Sequence, residues 1–305
     1  MNSVDFGKLK KYLNTQELYG CDCTVANLFL QQEKCKLELK IHDDVLFRYY
    51  VKDDLIYGYG FPLSLKNDAS DLWLKNALDY IIEDSLVQKR QLQFCLVTKN
   101  QKDSLDLYLS KYFNRRINWK TSRADSDYLY FTKNLSELPG AAYQKKRNHI
   151  SRFERIYKER WTFKTFPEND IAADIIEVSR KWFEENDGNS SDSLMAEQKN
   201  ISLILENAQL FGIMGGALYV DEKPVAMTLA SEISDKVLDV LFEKAIDEYA
   251  KNGAYAVINR QFANTSTGYL YCNREEDLGI EGLRKAKLSY KPDILLEKFY
   301  GTVTG

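Results

Sequence analysis

Strand-like and helix-like patterns alternate along the whole chain, and this alternation constrains the fold more than any other feature. The clearest strand pattern runs from Leu37 to Val51, where apolar and polar residues alternate and Asp43-Asp44 supplies the expected turn. A segment with apolar residues at helical spacing follows, and strand and helix patterns continue to alternate in the later segments. Such interleaving predicts an α/β or α+β fold in which mixed sheets are flanked by helices.

The same patterns predict the remaining elements and a division into two halves. Further strands are expected at Leu55–Tyr59, Leu92–Thr98, Tyr128–Thr132, Thr162–Phe166, Ala217–Val220, Val225–Ala230, Val237–Phe242, Tyr269–Cys272 and Ile294–Tyr300. Helices are expected from Ser70 or Asp71 to Gln88, and at Ser104–Phe113, Gly140–Arg160, Ile171–Asn186, Ser193–Gln209, Gly253–Ala263 and Arg274–Leu288. Because 305 residues are comfortable for two domains, we predict one at 1–135 and one at 136–305.

The composition of the chain argues against several classes of protein. A protein held to nucleic acid by phosphate contacts normally carries a basic surplus, whereas this chain has a formal net charge of −3. No stretch approaches the roughly 20 apolar residues of a membrane helix. The first residues also lack the apolar run of a secretory signal. We therefore expect a cytoplasmic protein without a membrane span.

The cysteines do not form a recognisable disulfide, zinc or redox pattern. There are five of them, and their spacings match no zinc ribbon or CxxC motif. Cys21 and Cys23 could bind a soft metal, but neither of the two histidines lies near them in sequence. We therefore expect reduced thiols and no metal, with no assigned role for this cysteine pair.

The polar segment from Asn273 to Tyr290 is the best candidate for a functional site. Asn273 and Glu276 have the spacing of a capping box, and acids then bases along the segment suit the dipole of a helix. Gly279 and Gly282 would each cost such a helix roughly 1 kcal/mol relative to Ala. One interpretation is a well-capped surface helix. The other is a helix whose glycines let a backbone or a ligand approach one face.

This segment also carries a resemblance to a known family. The run Asn273-Arg-Glu-Glu-Asp277-Leu-Gly279, with Gly282-Leu-Arg284-Lys-Ala-Lys287-Leu-Ser-Tyr290-Lys-Pro292 after it, resembles the C-terminal motif of a bacterial family. That family is related to the catalytic C-terminal domain of phosphatidylglycerol lysyltransferase. Matching pieces occur in the same order upstream: Asp127-Tyr128-Leu-Tyr130, the basic helix from Tyr143 to Phe153, Trp182, Glu197, Glu243-Lys244-Ala245 and Asn259.

The resemblance implies a fold and a class of reaction. The fold would be two tandem domains like the acyl-CoA N-acyltransferases (GNAT-like), with a cleft where the halves meet. The reaction would be acyl or aminoacyl transfer. Two family features are missing, because the sequence has no membrane spans and no glycine-rich pyrophosphate turn. Asn252-Gly253, before a predicted helix, is the nearest substitute for that turn.

The candidate site residues follow from the resemblance together with local chemistry. Glu243 and Asp277 are the candidate catalytic carboxylates, because a carboxylate at the end of a strand can act as a general base. A salt bridge is the alternative for both, a solvated helix face is the alternative for the basic helix, and a core position is the alternative for Tyr290. The candidate ligand-binding residues are Arg147, Asn148, Asn259, Asn273, Arg274, Arg284, Lys287 and Tyr290.

Two functions therefore remain open at the level of sequence. The first is a transferase that moves an acyl or aminoacyl group from acyl-CoA or aminoacyl-tRNA to a small-molecule or peptide acceptor. The donor is not fixed, and the net charge does not favour tRNA. The second is a non-catalytic module that recognises a nucleotide, a peptide or a protein partner.

Overall fold

The computed structural model of the chain describes residues 4–13, 18–34, 36–52, 55–66, 72–186 and 192–305. The chain divides into two compact units that are not contiguous in sequence. Unit 1 comprises Met1–Asp127, Glu276–Leu283 and Leu295–Gly305, and unit 2 comprises Tyr128–Glu275 and Arg284–Ile294. The boundary between residues 135 and 136 and the cleft between halves stay predictions. The predicted helix cap at Ser70 or Asp71 lies outside the described residues.

Unit 1 is built around a seven-stranded mixed sheet. Its strands are β1 (Leu37–His42), β2 (Val45–Lys52), β3 (Leu55–Tyr59), β4 (Leu63–Ser64), β5 (Gln93–Val97), β6 (Arg116–Thr121) and β14 (Phe299–Thr304). Their order is β1-β2-β3-β5-β14-β6, with β4 paired to β2. β3 and β5 pair in parallel, whereas β14 pairs antiparallel with both of its neighbours. The end of the chain therefore completes the sheet of unit 1.

The first hairpin of unit 1 follows the predicted pattern closely. Asp43 and Asp44 form the turn with φ of 49° and 58°, as a two-residue hairpin of type I′ requires. The helices of this unit are α1 (Phe6–Leu13), α2 (Val25–Lys34), α3 (Trp73–Val87) and α4 (Lys99–Phe113). α4 begins five residues before the predicted start at Ser104, because Thr98 and Gln101 form a capping box there.

Unit 2 contains most of a second seven-stranded mixed sheet. Its strands are β7 (Asp127–Phe131), β8 (Trp161–Phe166), β9 (Met214–Val220), β10 (Lys223–Ser234), β11 (Val237–Ala245), β12 (Tyr271–Asn273) and β13 (Ile294–Leu296). The order is β13-β7-β12-β11-β10-β9-β8. β11 and β12 pair in parallel, and β10 pairs antiparallel with β9 and β11. Two mixed sheets with helices around them confirm the predicted fold class.

Eight α-helices lie in the described part of the second half. They are α5 (Thr132–Glu137), α6 (Gln144–Tyr157), α7 (Ala172–Glu185), α8 (Asp192–Glu206), α9 (Ala208–Phe211), α10 (Asp247–Asn252), α11 (Ala254–Thr265) and α12 (Glu281–Leu288). Of these, α7 and α11 pack on the sheet. α11 packs against α6 at Gly253, where φ is +111° and a Cβ would lie 2.3 Å from the carbonyl oxygen of His149. Close helix packing therefore explains Gly253. On the sequence alone, Asn252-Gly253 was the nearest substitute for a pyrophosphate turn.

The predicted helix from Arg274 to Leu288 is wrong over its first half. β12 ends at Asn273, and α12 begins only at Glu281. Gly279 lies in the intervening turn with φ of +75°, which explains why the position is glycine. Gly282 is helical, and a Cβ there would meet no described atom within 4 Å. The idea that these two glycines share a helix face for a ligand is therefore also wrong.

Among the described residues, no helix combines the length and the apolar character needed to cross a membrane.

Candidate functional site

Two predicted site residues of unit 2, Arg274 and Asn259, contact Glu243 near the end of β11. Glu243 Oε1 accepts a hydrogen bond from Arg274 Nη2 at 2.7 Å, and Glu243 Oε2 accepts one from Asn259 Nδ2 at 3.1 Å. The sequence placed Glu243 directly after this strand, but the residue lies within β11. Arg274 comes directly after β12, which is the parallel neighbour of β11, so the sheet itself brings the two residues together.

Two tyrosines surround the guanidinium of Arg274. Its Cζ lies 4.8 Å from the ring centroid of Tyr290 and 5.9 Å from that of Tyr130. The ring of Tyr290 carries a second cation, since Lys146 Nζ lies 3.6 Å from its centroid. Cations over aromatic faces are attracted by the negative face of the ring. We call Lys146, Glu243, Asn259, Arg274 and Tyr290 the unit 2 cluster.

The unit 2 cluster has more positive than negative charge and retains unused hydrogen-bonding groups. One carboxylate, that of Glu243, faces two cations. Among the described residues, Arg274 Nη1 has no acceptor and Asn259 Oδ1 has no donor, although both atoms are buried. Thr228 Oγ1 is a third such atom, and Thr228 pairs with Glu243 across β10 and β11. Buried polar groups without partners are uncommon in native proteins, and functional sites are one place where they occur.

Burial and neighbouring charges shift the pKa values of this cluster. Burial, reinforced by the positive charge of Arg274, lowers the pKa of Lys146 to about 8, while Glu243 opposes the shift. Burial alone would lower the pKa of Arg274, but the carboxylate of Glu243 outweighs it and the net shift is upward. Burial raises the pKa of Tyr290, which stays a neutral phenol at physiological pH. Of the two cations of the cluster, Lys146 therefore titrates closer to neutrality.

Lys146 was included in the predicted basic helix but not among the candidate site residues, although a signal for it existed. The buried residues of α6 are Ile150, Phe153 and Tyr157, and Tyr143, just before the helix, is also buried. With Lys146 included, the spacings are three, four, three and four residues, which is the pattern of one helix face. A lysine at a position where this spacing calls for an apolar residue is a recognisable exception.

Several other predicted ligand residues make contacts within the fold. Arg147 Nη1 donates to the carbonyl oxygens of Leu138 and Gly140, so it holds the loop before α6. Asn148 is exposed and accepts a hydrogen bond from Gln144. Both residues lie on α6, and their side chains hydrogen-bond to residues close to them in sequence.

The C-terminal candidates support the backbone around Arg274. Lys287 Nζ donates to the carbonyl oxygen of Arg274 at 2.6 Å, and the Tyr130 hydroxyl donates to the carbonyl oxygen of Lys287 at 2.8 Å. Asn273 is buried, and its Oδ1 accepts a hydrogen bond from the backbone N–H of Glu275. Arg284 is half-buried on α12. Lys287 and Asn273 therefore help to position Arg274.

A second group of family-matched residues lies at the same strand end. Lys244 Nζ lies 2.5 Å from Glu197 Oε1 and 3.6 Å from the ring centroid of Trp182. Successive residues of a strand point to opposite faces of the sheet, so Lys244 and Glu243 extend from opposite sides of β11. Residues matched to the family therefore make ion-pair and hydrogen-bond contacts on both faces of the sheet at this strand end.

Asp277 belongs to unit 1 and does not join the unit 2 cluster. It is fully buried, and its Oδ1 accepts a hydrogen bond from the N–H of Gly279 at 2.9 Å. Its Oδ2 lies 3.4 Å from Arg123 Nη1. These contacts fit the alternative of a salt bridge and a turn. The catalytic role of Asp277 stays a prediction.

Unit 1 contains a buried ionic cluster of its own around the Cys21–Cys23 segment. Asp22 lies 2.8 Å from Arg48 and 3.0 Å from Lys298, and Lys298 also lies 2.7 Å from Asp127. We call these four residues the unit 1 cluster. Burial would raise the pKa of Asp22, but Lys298 and Arg48 outweigh it and lower that pKa to about 2.

Cys21, Asp22 and Asp127 are close enough together to hold a metal ion. The ammonium of Lys298 lies among them, 3.2 Å from Cys21 Sγ. A cation belonging to the chain itself therefore already occupies the centre of this group.

Comparison with known proteins assigns the chain to a family. The family model described as "Phosphatidylglycerol lysyltransferase, C-terminal" matches residues 14–301. The chain belongs to this family. The match extends over both units and includes every residue of the unit 2 cluster.

Individual proteins are similar to the chain in sequence or in structure. A crystal structure of a conserved protein of unknown function from Bacteroides thetaiotaomicron is 31% identical, covers 98% of this chain and 97% of its own, and superposes with a TM-score of 0.86. The structure of L-PGS from Bacillus licheniformis is 14% identical, covers 97% and 90% of the two chains, and has a TM-score of 0.64. An uncharacterized protein of Mycoplasmoides gallisepticum is 23% identical over 250 residues, covering 74% of this chain and 79% of that protein.

Proposed function

We propose that this chain is a transferase that moves an acyl or aminoacyl group from an ester or thioester donor to an amine or hydroxyl acceptor. The observation that carries the proposal is the surplus positive charge of the unit 2 cluster, with Arg274 Nη1 buried and lacking an acceptor. An arginine presents N–H groups that suit carboxylate, phosphate or a developing oxyanion. The family description, which names a lysyltransferase, supports the same class of reaction.

In this proposal Arg274 is the group that meets the donor. Its guanidinium stabilises the negative charge that develops on the carbonyl oxygen when the acceptor attacks. Tyr290 provides a flat surface beside it. Arg147, Asn148, Arg284 and Lys287 remain proposed contacts for the phosphates of the donor.

Glu243 has a positioning role in this proposal. The sequence suggested it as a general base, but each of its oxygens accepts a hydrogen bond, from Arg274 and from Asn259. Neither oxygen is therefore free to take a proton from an attacking acceptor. We propose that Glu243 and Asn259 orient Arg274, and that their removal weakens donor binding through Arg274.

Donor identity is tested by the thermal stability of the protein in the presence of acetyl-CoA, a longer acyl-CoA or an aminoacyl-tRNA. A ligand that binds only the folded chain raises the melting temperature. We expect one donor class to stabilise the wild type, and Arg274→Gln to lose that stabilisation. Arg155→Gln is the matched control, because Arg155 is an exposed arginine of α6. It should keep the stabilisation.

The outcomes separate the transferase from the binding module left open by the sequence. Stabilisation by a donor, followed by release of free CoA or free tRNA with an acceptor present, supports the transferase. Binding of tRNA would also show a steep decrease with salt, since phosphate contacts release counterions. If no donor stabilises the protein, or if Arg274→Gln responds like wild type, the proposed function is wrong.

A further inference from the structure

The amine of Lys146 is an unusual group in unit 2. Lys146 lies on the buried face of α6, and its Nζ contacts the ring of Tyr290. Among the described residues it has no carboxylate within ion-pair distance and makes no hydrogen bond. Of the charged groups nearest to it, Arg274 shares the same tyrosine ring. An amine beside a second cation, with no carboxylate within ion-pair distance, loses its proton more readily than an exposed lysine.

From this arrangement we propose that Lys146 is a self-acylation site, whose amine takes the acyl group of an activated ester or thioester bound at Arg274. The neutral amine attacks the carbonyl carbon, and the carbonyl oxygen becomes an oxyanion stabilised by the Arg274 guanidinium. The carbon–sulfur or carbon–oxygen bond then breaks. The leaving thiolate or alkoxide takes the proton lost by the attacking nitrogen, so the products are an N-acyl lysine and a free thiol or alcohol.

The charged groups around Lys146 support this reactivity. Burial and Arg274 lower its pKa, Lys145 lowers it further, and Glu243 raises it. On its own helix it also faces His149, whose pKa is lowered by burial and by Lys146, Lys145 and Arg152. Lysines made nucleophilic by desolvation and by a cationic neighbour are the usual type of reactive enzyme lysine.

Acylation of Lys146 would change the charge of the unit 2 cluster. The amide is neutral, so the surplus positive charge that we assign to donor binding would fall by one. A self-acylated chain should therefore bind an anionic donor more weakly than the unmodified chain. This inference rests on the proposed transferase function, because it uses the same donor position at Arg274.

The first test uses p-nitrophenyl acetate, a small activated ester that requires no specific recognition. The wild-type protein is treated briefly at pH 8, and acetylation of each lysine is measured by peptide mass spectrometry. Lys145 is the internal control, because it is the exposed neighbour on the same helix. We expect Lys146 to be acetylated about tenfold faster than Lys145. Equal labelling, or faster labelling of Lys145, overturns the inference.

A second comparison tests the role of Arg274. Arg274→Lys keeps the positive charge but removes the planar fork of donors. It should slow acetylation of Lys146 several-fold and leave Lys145 unchanged. Unchanged labelling of Lys146 contradicts the proposed oxyanion contact, and circular dichroism of the variant shows whether unit 2 is still folded.

Acetyl-CoA then separates this inference from the proposed function. If acetyl-CoA also labels Lys146, both are supported. If p-nitrophenyl acetate labels Lys146 selectively and acetyl-CoA neither labels nor binds, the self-acylation site stands and acetyl-CoA is excluded as donor. If acetyl-CoA binds without selective labelling by either reagent, the self-acylation site is wrong and the transferase proposal is unaffected.

Discussion

The two units each bury a cluster of charges, and the clusters differ in how completely those charges are paired. In unit 1, Arg48 and Lys298 each form an ion pair with a carboxylate of the cluster, and all four side chains are at most 3% exposed. The carboxylate of Glu276 also acts electrostatically on Lys298. In unit 2, a single carboxylate faces Arg274 and Lys146, and Arg274 Nη1 lacks an acceptor. Arg48 Nε and Asp22 Oδ1 in unit 1 also lack a hydrogen-bond partner, but Asp22 forms ion pairs with both Arg48 and Lys298. We call the unit 1 cluster balanced because each of its cations has an ion-pair partner, which the fold alone explains. A cluster with an unpaired cation instead favours a ligand.

The comparison also clarifies the two regions selected from the sequence. The Cys21–Cys23 segment, considered for a metal, contributes to the balanced cluster through Asp22. The Asn273–Tyr290 segment contributes Arg274 and Tyr290 to the unbalanced one. Lys298, Arg274 and Lys146 each belong to one of the two clusters, whereas Gly282 belongs to neither.

The largest effect is expected from Lys298→Met in unit 1. Asp22 and Asp127 would lose their shared cation while remaining buried, and breaking a buried ion pair costs about 3–5 kcal/mol. The free energy of unfolding from urea titration measures this loss. Lys75→Met removes the partly exposed pair with Asp79 and should cost under about 0.5 kcal/mol. If both variants lose the same small amount, the unit 1 cluster does not stabilise the fold.

A smaller loss is expected from Arg274→Gln in unit 2. Glu243 keeps its hydrogen bond from Asn259, and its side chain is 9% exposed. Its negative charge therefore keeps one hydrogen-bond donor and some contact with solvent after Arg274 is replaced. We expect unfolding to become easier by about 1–3 kcal/mol. The same urea titration applies. A loss larger than that of Lys298→Met would mean that Arg274 is mainly structural and would remove the contrast between the clusters.

Lys146→Met should stabilise the protein, in contrast to the other two charge removals. The folded-state pKa of Lys146 is lowered to about 8 from 10.5. Below pH 8 the wild type therefore carries a poorly solvated charge, at a cost of about 1 kcal/mol after allowance for partial exposure. The cost disappears as pH rises from 8 to 10.5, so the gain from Met should be largest near pH 7 and vanish near pH 11. A destabilised Lys146→Met variant at pH 7 contradicts this account.

The smallest effect is expected from Gly282→Ala in α12. The added methyl group has free space, and alanine favours a helix over glycine by up to about 1 kcal/mol. Thermal unfolding should show a small gain in stability, and donor binding should not change. Loss of donor binding in this variant would show that the glycine, and not the surplus charge, defines the site.

Much of the fold could be predicted because its signals are local. The β1–β2 hairpin, β3 and the β9–β10 pair were found by the alternation of their side chains and by their turn residues. β6 (Arg116–Thr121) was missed, since it pairs with β14 from the far end of the chain. The pattern of neighbouring residues does not show that a segment will pair with a strand distant in sequence.

The segment after β12 shows why polar patterns are ambiguous. Asn273 and Asp277 each accept a hydrogen bond from the N–H two residues later, which bends the chain into turns. The same side chains are good helix caps, and a sequence does not show which bond forms. The predicted helix was therefore placed too early, although Arg274 and Tyr290 were still selected. Lys146 was not singled out because all the basic residues of its helix were considered together, either as an anion-binding surface or as a solvated face.

The most direct test of the central claim is the pKa of Lys146 in the folded protein. It can be measured from the ¹³Cε chemical shift of each lysine in ¹³C-lysine-labelled protein between pH 6 and 11, with Lys146→Arg to assign the signal. The account predicts a midpoint of about 8, and a higher midpoint in Arg274→Gln because a neighbouring positive charge is removed. A midpoint near 10.5, the ordinary value for lysine, would show that the charge of Lys146 is already balanced and would contradict the proposed site.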